Sequence, residues 1–256
     1  MPGATMRGAA LMARIATVCF ALATLLWAWQ VGPTLWSQAS MAQLARKIIG
    51  GEQYRPGFLA ELAAATQQDL RQDRCEPAAR RTLAIVRLRL AEEAVAAGDD
   101  ALITQTQSDL EAALRSAFDC APADPLLWLA RYWLQNNTRG LQQDNFAALR
   151  LSYRFGANEG WLALRRSRFA LAVYPALPED LQRQAIDEFV QLVKSGFISD
   201  AADIVVGPGR PISGVLLSRL EGIEITKLKF LARLLDGRDF EATIPGVEVA
   251  TRPRPW

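Results

Sequence analysis

The sequence predicts an all-α protein, in which one N-terminal transmembrane helix precedes a solenoid of stacked antiparallel helix pairs. Three observations support this prediction. An apolar run lies near the N-terminus, apolar residues recur at helical spacing along most of the remaining chain, and two short sequence motifs each occur twice. Half of the 256 residues are hydrophobic, which is enough to bury a core of full size.

The first element is the apolar run at residues 15–36, which follows a short tail at 1–14. A run of about 20 apolar residues matches the thickness of a hydrocarbon core. Trp27, Trp29 and Trp36 lie at its C-terminal end, where indole rings favour the interface between lipid and water. The run therefore predicts a transmembrane anchor.

A cleaved secretory signal is the alternative interpretation of this run. Small-residue motifs that suit cleavage occur at Ser37-Gln38-Ala39 and Ser40-Met41-Ala42. Both motifs lie far beyond the apolar run and after the three tryptophans, so we favour an anchor that is retained. Either interpretation places the bulk of the chain outside the cytosol, and we expect the N-terminus to remain inside.

A helical hairpin follows a juxtamembrane helical segment at 37–76. Pro77 suits the first turn of a helix, whose apolar pattern continues until Gly98-Asp99-Asp100 interrupts it. A second helix begins at Ala101 and ends before the proline-rich stretch 121–125. The two helices should pack antiparallel.

Two cysteines lie at matched distances from the turn of this hairpin. Cys75 and Cys120 are 24 and 21 residues from Asp99, so an antiparallel arrangement brings them to the same end. A disulfide between them would stabilise the pair by about 4 kcal/mol in the chain-entropy model, and it would require an oxidising compartment. Two unrelated thiols are the alternative.

The helical domain should extend over 77–240. A further helix is predicted from Pro178 to Ser195, the glycine- and proline-rich stretch 207–211 breaks the chain, and two short helices follow. Residues 241–256 are expected to be extended or disordered.

The repeated motifs suggest how these helices are organised. Residues 113–118 recur at 148–153, and Leu127-Trp128-Leu129-Ala130 recurs as Gly160-Trp161-Leu162-Ala163, with offsets of 35 and 33 residues. These offsets bracket the 34-residue period of tetratricopeptide repeats, which this part of the chain resembles in a degenerate form. The resemblance implies helix pairs that stack to bury their apolar faces, and it covers about residues 77–196.

The combination of an N-terminal span with such repeats, together with the stretch 157–196, resembles small membrane-anchored proteins of bacterial exopolysaccharide and envelope-polysaccharide assembly. This resemblance implies an accessory role in the inner membrane, with the helical domain in the periplasm and with the proteins of an envelope assembly as partners. It transfers no catalytic residue.

The composition argues against several classes of function. The chain has no histidine, which removes the commonest general base and metal ligand. Its 29 basic and 27 acidic residues are spread along the whole length, so no concentrated positive field would attract nucleic acid. We therefore expect neither an enzyme nor a bound metal or cofactor, and no nucleic-acid partner.

Two other functions remain as alternatives. Arg150, Arg154, Arg165 and Arg168, with Arg166, could form a basic strip that binds an anionic glycan or a lipid headgroup, although helical arginines more often cover apolar surface and pair with acids. The residues Trp128, Trp133 and Trp161 could stack on sugars, but core packing is the simpler interpretation.

A polysaccharide-cleaving enzyme would require two facing carboxylates. Acidic pairs occur at Glu92/Glu93, Asp99/Asp100, Glu179/Asp180 and Asp187/Glu188. We assign them to helix starts, a turn and solvated faces, where acidic residues are ordinary.

Overall fold

The computed structural model describes residues 3–70 and 75–247, with side chains for all of these except 3–11, 13, 31 and 33–42. The secondary structure of the described residues is helical and includes no strand, which confirms the all-α class. The helices are α1 (Gly3–Ile49), α2 (Phe58–Asp69), α3 (Pro77–Ala97), α4 (Asp100–Phe118), α5 (Pro125–Arg139), α6 (Phe146–Phe155), α7 (Gly160–Ala172), α8 (Glu179–Lys194), α9 (Ile198–Val206), α10 (Ser213–Ser218) and α11 (Ile225–Asp236).

Helix α1 contains the segment 15–36 and has two dissimilar parts. The large apolar side chains of its N-terminal half are exposed: Met12, Ile15, Val18, Phe20, Leu22, Leu25, Leu26, Trp27 and Trp29. Among the residues described with their side chains, no helix is both long and apolar enough to cross a membrane. The side chain of Trp36 lies outside the described residues, as do those of the two small-residue motifs at 37–42.

The C-terminal end of α1 belongs to the packed body of the protein. Ala45 and Ile48 are fully buried, and α1 packs on α3. Helix α2 also packs on α3, with Leu59 and Ala63 in the core. The packed body therefore begins near residue 44 rather than at 77, because the segment predicted to be juxtamembrane supplies apolar side chains that cover α3.

Helices α3 and α4 form an antiparallel hairpin. Gly98 ends α3 with φ of 72°, a left-handed conformation that glycine adopts without strain. Asp99 then caps α4 by accepting hydrogen bonds from the backbone N–H groups of Ala101 and Leu102. At the other end of the hairpin, Cys75 and Cys120 form a disulfide, with their Cα atoms 5.5 Å apart.

The remaining helices stack in a regular order. Helices α3, α5, α7, α9 and α11 form one row, in which each contacts the next. Helices α4, α6 and α8 pack against the row helix that precedes each of them in the chain, while α10 lies against both α8 and α9. In this order, each helix pair buries against the next pair the apolar surface that its own two helices leave exposed.

The repeated motifs occupy equivalent places in this order. Residues 113–118 and 148–153 lie in α4 and α6, which are both second helices of their pairs. Trp128 and Trp161 both lie in the first turn of a row helix, in α5 and α7. Their neighbours differ, however, because Trp128 packs on Phe118 whereas Trp161 faces the guanidinium of Arg81.

The chain after α11 is not helical, as expected, but it is not free of the body. Ile244 is almost completely buried, and Ala242 and Val247 pack against the core. Residues 242–247 therefore pack on the body through their apolar side chains, and the prediction for 241–256 had left extended and disordered chain open. Residues 248–256 lie outside the described residues.

Candidate functional site

A groove of about 610 Å³ lies between α6 and α8. Its walls come from α6 and α8, and the start of α7 contributes to its floor. The groove exists because α6 and α8 are each the second helix of a pair, held apart by the row helix between them. The lining residues that the argument uses are Arg150, Tyr153, Arg154, Asn158, Gln184, Asp187, Glu188, Gln191 and Ser195.

A buried ion pair lies beneath this groove. Arg166 of α7 has no solvent exposure, and its guanidinium donates to both carboxylate oxygens of Glu188 in α8. The same guanidinium donates to the backbone carbonyls of Ser152, at 2.7 Å, and Gly156, at 3.0 Å. Ser167 donates a further hydrogen bond to Glu188. Arg166 thereby satisfies carbonyls at the end of α6 and joins three helices.

The buried environment changes the acid–base properties of two groups at the groove. Burial raises the pKa of Glu188. The hydrogen bonds and the positive charge of Arg166 lower this pKa, but the effect of burial is larger. Burial also raises the pKa of Tyr153 well above its ordinary value, and the negative charge of Glu188 adds to this rise. The Arg166 guanidinium lies 4.1 Å from the centre of the Tyr153 ring, so one ring face is already in contact with a cation.

The structure brings two of the four predicted arginines together at the groove. Arg150 forms a two-point ion pair with Asp180, with its Nε 2.6 Å and its Nη2 3.0 Å from the carboxylate oxygens. These hydrogen bonds lower the pKa of Asp180 and raise that of Arg150. Arg154 is exposed, and its guanidinium lies 5.9 Å from the ring centre of Phe155.

The other two arginines do not line the groove. Arg165 pairs with Glu92 of α3 and donates to the backbone carbonyl of Ile49 at the end of α1. Arg168 is exposed on α7. The predicted basic strip is therefore divided, because neighbouring positions on a helix point in different directions, and Arg165 serves the contact between α7, α3 and α1.

The tryptophans considered as sugar platforms take part in packing. Trp133 is buried, and Trp128 and Trp161 are partly buried against the core. The Trp128 indole N–H donates to the carbonyl of Pro122 at 2.7 Å. These side chains lie outside the groove between α6 and α8.

Most of the acidic pairs have structural partners. Glu92 pairs with Arg165, Glu93 with Arg89, Asp180 with Arg150 and Glu179 with Arg183, while Asp99 caps α4. Glu188 is buried, so its assignment to a solvated face is wrong. Within the described ranges, no group of three or more residues has the composition and proximity of a metal site.

The buried ion pair Arg166–Glu188 was not predicted, although the sequence carries a signal for it. Arg166 occupies the apolar stripe of α7 with Leu162, Ala163 and Ala170, all of them buried. Glu188 similarly continues the stripe of Leu181, Ala185 and Leu192 in α8. A cation and an anion that interrupt the buried stripes of neighbouring helices indicate a buried pair, since neither charge is stable there alone.

The comparisons with known proteins supply no relative. No protein-family model, no curated protein and no solved structure matches this chain.

Proposed function

We propose that this protein is a membrane-anchored helical scaffold that holds protein partners outside the cytosol. The single observation that carries the proposal is the division of α1. Its N-terminal half presents nine large apolar side chains to the surroundings, whereas its last turns are built into the core. An exposed apolar helix of this kind is unstable in water and suits a lipid environment.

Insertion of this part of α1 into a membrane would resolve the exposure. Trp27 and Trp29 lie at the end of the apolar surface nearest the packed body, where indole rings prefer the membrane interface. The anchor then spans the bilayer once, with the N-terminus inside the cell and the packed body outside. The continuity of α1 into the core supports retention of the segment rather than its cleavage.

The disulfide supports a location outside the cytosol. Disulfides persist in oxidising compartments and are rare in the cytosol, where thiols are kept reduced. Cys75 and Cys120 join the start of α3 to the end of α4, so the bond belongs to the packed body rather than to the anchor. We therefore assign the body to the periplasm.

The scaffold role rests on the stacked helices. The row α3, α5, α7, α9, α11 and the equivalent placement of the repeated motifs support a degenerate tetratricopeptide-like solenoid, an architecture that offers extended surfaces for partners. Two of the charged residues that line the groove, Arg150 and Glu188, are held in ion pairs with Asp180 and Arg166, which favours binding over catalysis. Polysaccharide assembly is our proposed setting, and the resemblance described in the sequence analysis is its support.

The anchor is tested by charging the exposed face of α1. In the variant Leu22→Asp/Leu25→Asp, we expect the protein to move from carbonate-washed membranes to the soluble fraction, because two carboxylates in a span oppose insertion. The control Leu102→Asp/Leu141→Asp changes two exposed leucines of the body and should remain in the membrane pellet. Recovery of the unchanged protein in the soluble fraction would refute the anchor.

The scaffold role needs a separate measurement. Crosslinking of intact cells, followed by purification of the full chain from membranes, should recover specific envelope proteins in stable ratios. Recovery of the chain alone at every crosslinker concentration would contradict a scaffold, even if the anchor is correct.

A further inference from the structure

We infer that the groove between α6 and α8 binds an extended peptide segment of a partner, in which an acidic and a basic residue are neighbours. This inference rests on the proposed scaffold function and names the chemistry of its partner. It is carried by two features of the groove: an amide stripe along one wall, and opposite charges on the two walls.

The amide stripe comes from α8. Gln184, Gln191 and Ser195 line the groove from this wall, and Asn158 lines it beyond the end of α6. The side-chain oxygen of Gln184 is buried and accepts no hydrogen bond within the described part of the chain. A buried acceptor without a partner is costly, so a donor from a bound segment would stabilise this oxygen.

The spacing of these groups suits the main chain of an extended peptide. Seven residues of helix separate Gln184 from Gln191, a rise of about 10 Å, which equals about three residues of extended chain. The stretch from Gln184 to Ser195 is about 16 Å long and accommodates about five such residues. Glutamine amides offer both a donor and an acceptor, which match the carbonyl and N–H groups of a peptide backbone.

The two walls carry opposite unpaired charges. Arg154 on α6 and Asp187 on α8 are both exposed, and neither has an ion-pair partner among the described residues. The neighbouring charges Arg150 and Glu188 are already paired. Successive side chains of an extended peptide point to opposite sides, so an acidic residue facing Arg154 places its neighbour towards Asp187. The groove therefore suits adjacent acidic and basic residues.

A glycan fits this groove less well. Sugar rings are commonly held against the open face of an aromatic side chain. Tyr153 is buried with one face against Arg166, and Phe197, which also lines the groove, is partly buried against the core beside Gly160. A polyanionic glycan would also meet the exposed carboxylate of Asp187. The amide stripe and the opposite charges of the two walls together favour a peptide.

The test uses the full chain, purified in a mild detergent, and fluorescein-labelled hexapeptide pools. Each pool fixes the two central residues as Glu-Lys, Glu-Glu, Lys-Lys or Ala-Ala and randomises the others, and fluorescence anisotropy measures binding. We expect the Glu-Lys pool to bind about fivefold more tightly than the Ala-Ala pool, the effect of one or two exposed ion pairs. The variant Gln184→Ala/Gln191→Ala should weaken the binding of every pool. The control Gln105→Ala changes an exposed glutamine of α4 and should not weaken binding.

Charge reversal gives a readout that unfolding cannot imitate. Arg154→Glu makes both walls acidic and should shift the preference to the Lys-Lys pool, while Asp187→Lys should shift it to the Glu-Glu pool. The control Arg168→Glu makes the same charge change on an exposed position outside the groove and should leave the preference unchanged.

Three results would overturn the inference: equal binding of all pools, preferences unchanged by Arg154→Glu, or binding of a uronic-acid tetrasaccharide in place of peptides. If crosslinked partners are nevertheless recovered from membranes, the scaffold function stands and only the peptide groove is refuted. If no partner is recovered while the Glu-Lys pool binds, the groove stands and the scaffold function is refuted.

Discussion

Arg166 illustrates how one residue can control the packing of three helices. Its guanidinium hydrogen-bonds to Glu188, Ser152 and Gly156, so the donors that face the protein interior all have acceptors. Taking both charges out of water is costly, and the pair is therefore a poor source of net stability. We expect it to act on specificity, since a shift of α7 against α6 and α8 would separate Arg166 from Ser152, Gly156 and Glu188.

Removal of this arginine should strongly destabilise the protein. Arg166→Met leaves the buried Glu188 carboxylate without its cation and removes the hydrogen bonds of the guanidinium to the Ser152 and Gly156 carbonyls, and we expect the free energy of unfolding to fall by about 3–5 kcal/mol. Urea denaturation followed by circular dichroism measures this change. The matched control Arg150→Met breaks an exposed pair and should cost about 1 kcal/mol or less.

A double variant and the pH dependence of stability test whether the loss of the ion pair causes this destabilisation. Arg166→Met/Glu188→Leu removes both charges and should recover most of the loss. In the single variant the pKa of Glu188 rises further, because the cation that lowers it is gone. An acid whose pKa is higher in the folded state binds a proton on folding, so the stability deficit should widen as pH rises from about 4 to 7. A deficit independent of pH would contradict this account.

At the scale of elements, the α3–α4 hairpin is held at both ends. Gly98 and the Asp99 cap define its turn, and the disulfide closes the opposite end. Sequence patterns locate these features because turns, caps and cysteine spacing are local properties of the chain. The burial of Ile244 and Val247 after α11 could not be located in this way, since it depends on which surface the helices leave open.

Loss of the disulfide should lower stability without changing the fold. Cys75→Ser/Cys120→Ser releases a bond that spans 45 residues, which corresponds to about 4 kcal/mol in the chain-entropy model. Thermal and urea denaturation of the full chain measure the change. Cys19→Ser, which alters an exposed free cysteine in α1, should have the same stability as the parent, and equal stability of all three proteins would show that the bond does not form.

At the scale of the whole molecule, close contact between helix pairs sets the order of the stack. A Cβ atom added at Gly156, in the turn between α6 and α7, would lie 2.6 Å from Pro125 and 2.8 Å from Leu162. Glycine is thus required where the end of one pair meets the starts of α5 and α7. At the same scale, α1 continues for about 22 Å from Trp29 to Leu44 and so separates its exposed apolar part from the packed body.

Gly156→Ala should force the helix pairs apart. We expect the free energy of unfolding to fall by about 1–3 kcal/mol, as for other insertions into a close-packed interior, because the rigid Pro125 ring and the fully buried Leu162 side chain would both have to shift. Gly214→Ala adds the same methyl group to α10 with no atom within 4 Å, and it should be neutral or stabilising by up to about 1 kcal/mol. Urea denaturation compares the two, and equal effects would contradict a tight contact at Gly156.

The sequence by itself determined the helical class, the approximate limits of α3, α4 and α8, the hairpin and the equivalent positions of its repeated motifs. These features follow from periodicity, caps and breakers, which act over a few residues. Only the tertiary structure decided that the arginines divide between two surfaces, that Arg166 and Glu188 are buried together, and that α6 and α8 enclose a groove. Such relations join residues far apart in the chain, and they depend on the angles and distances at which the helices pack.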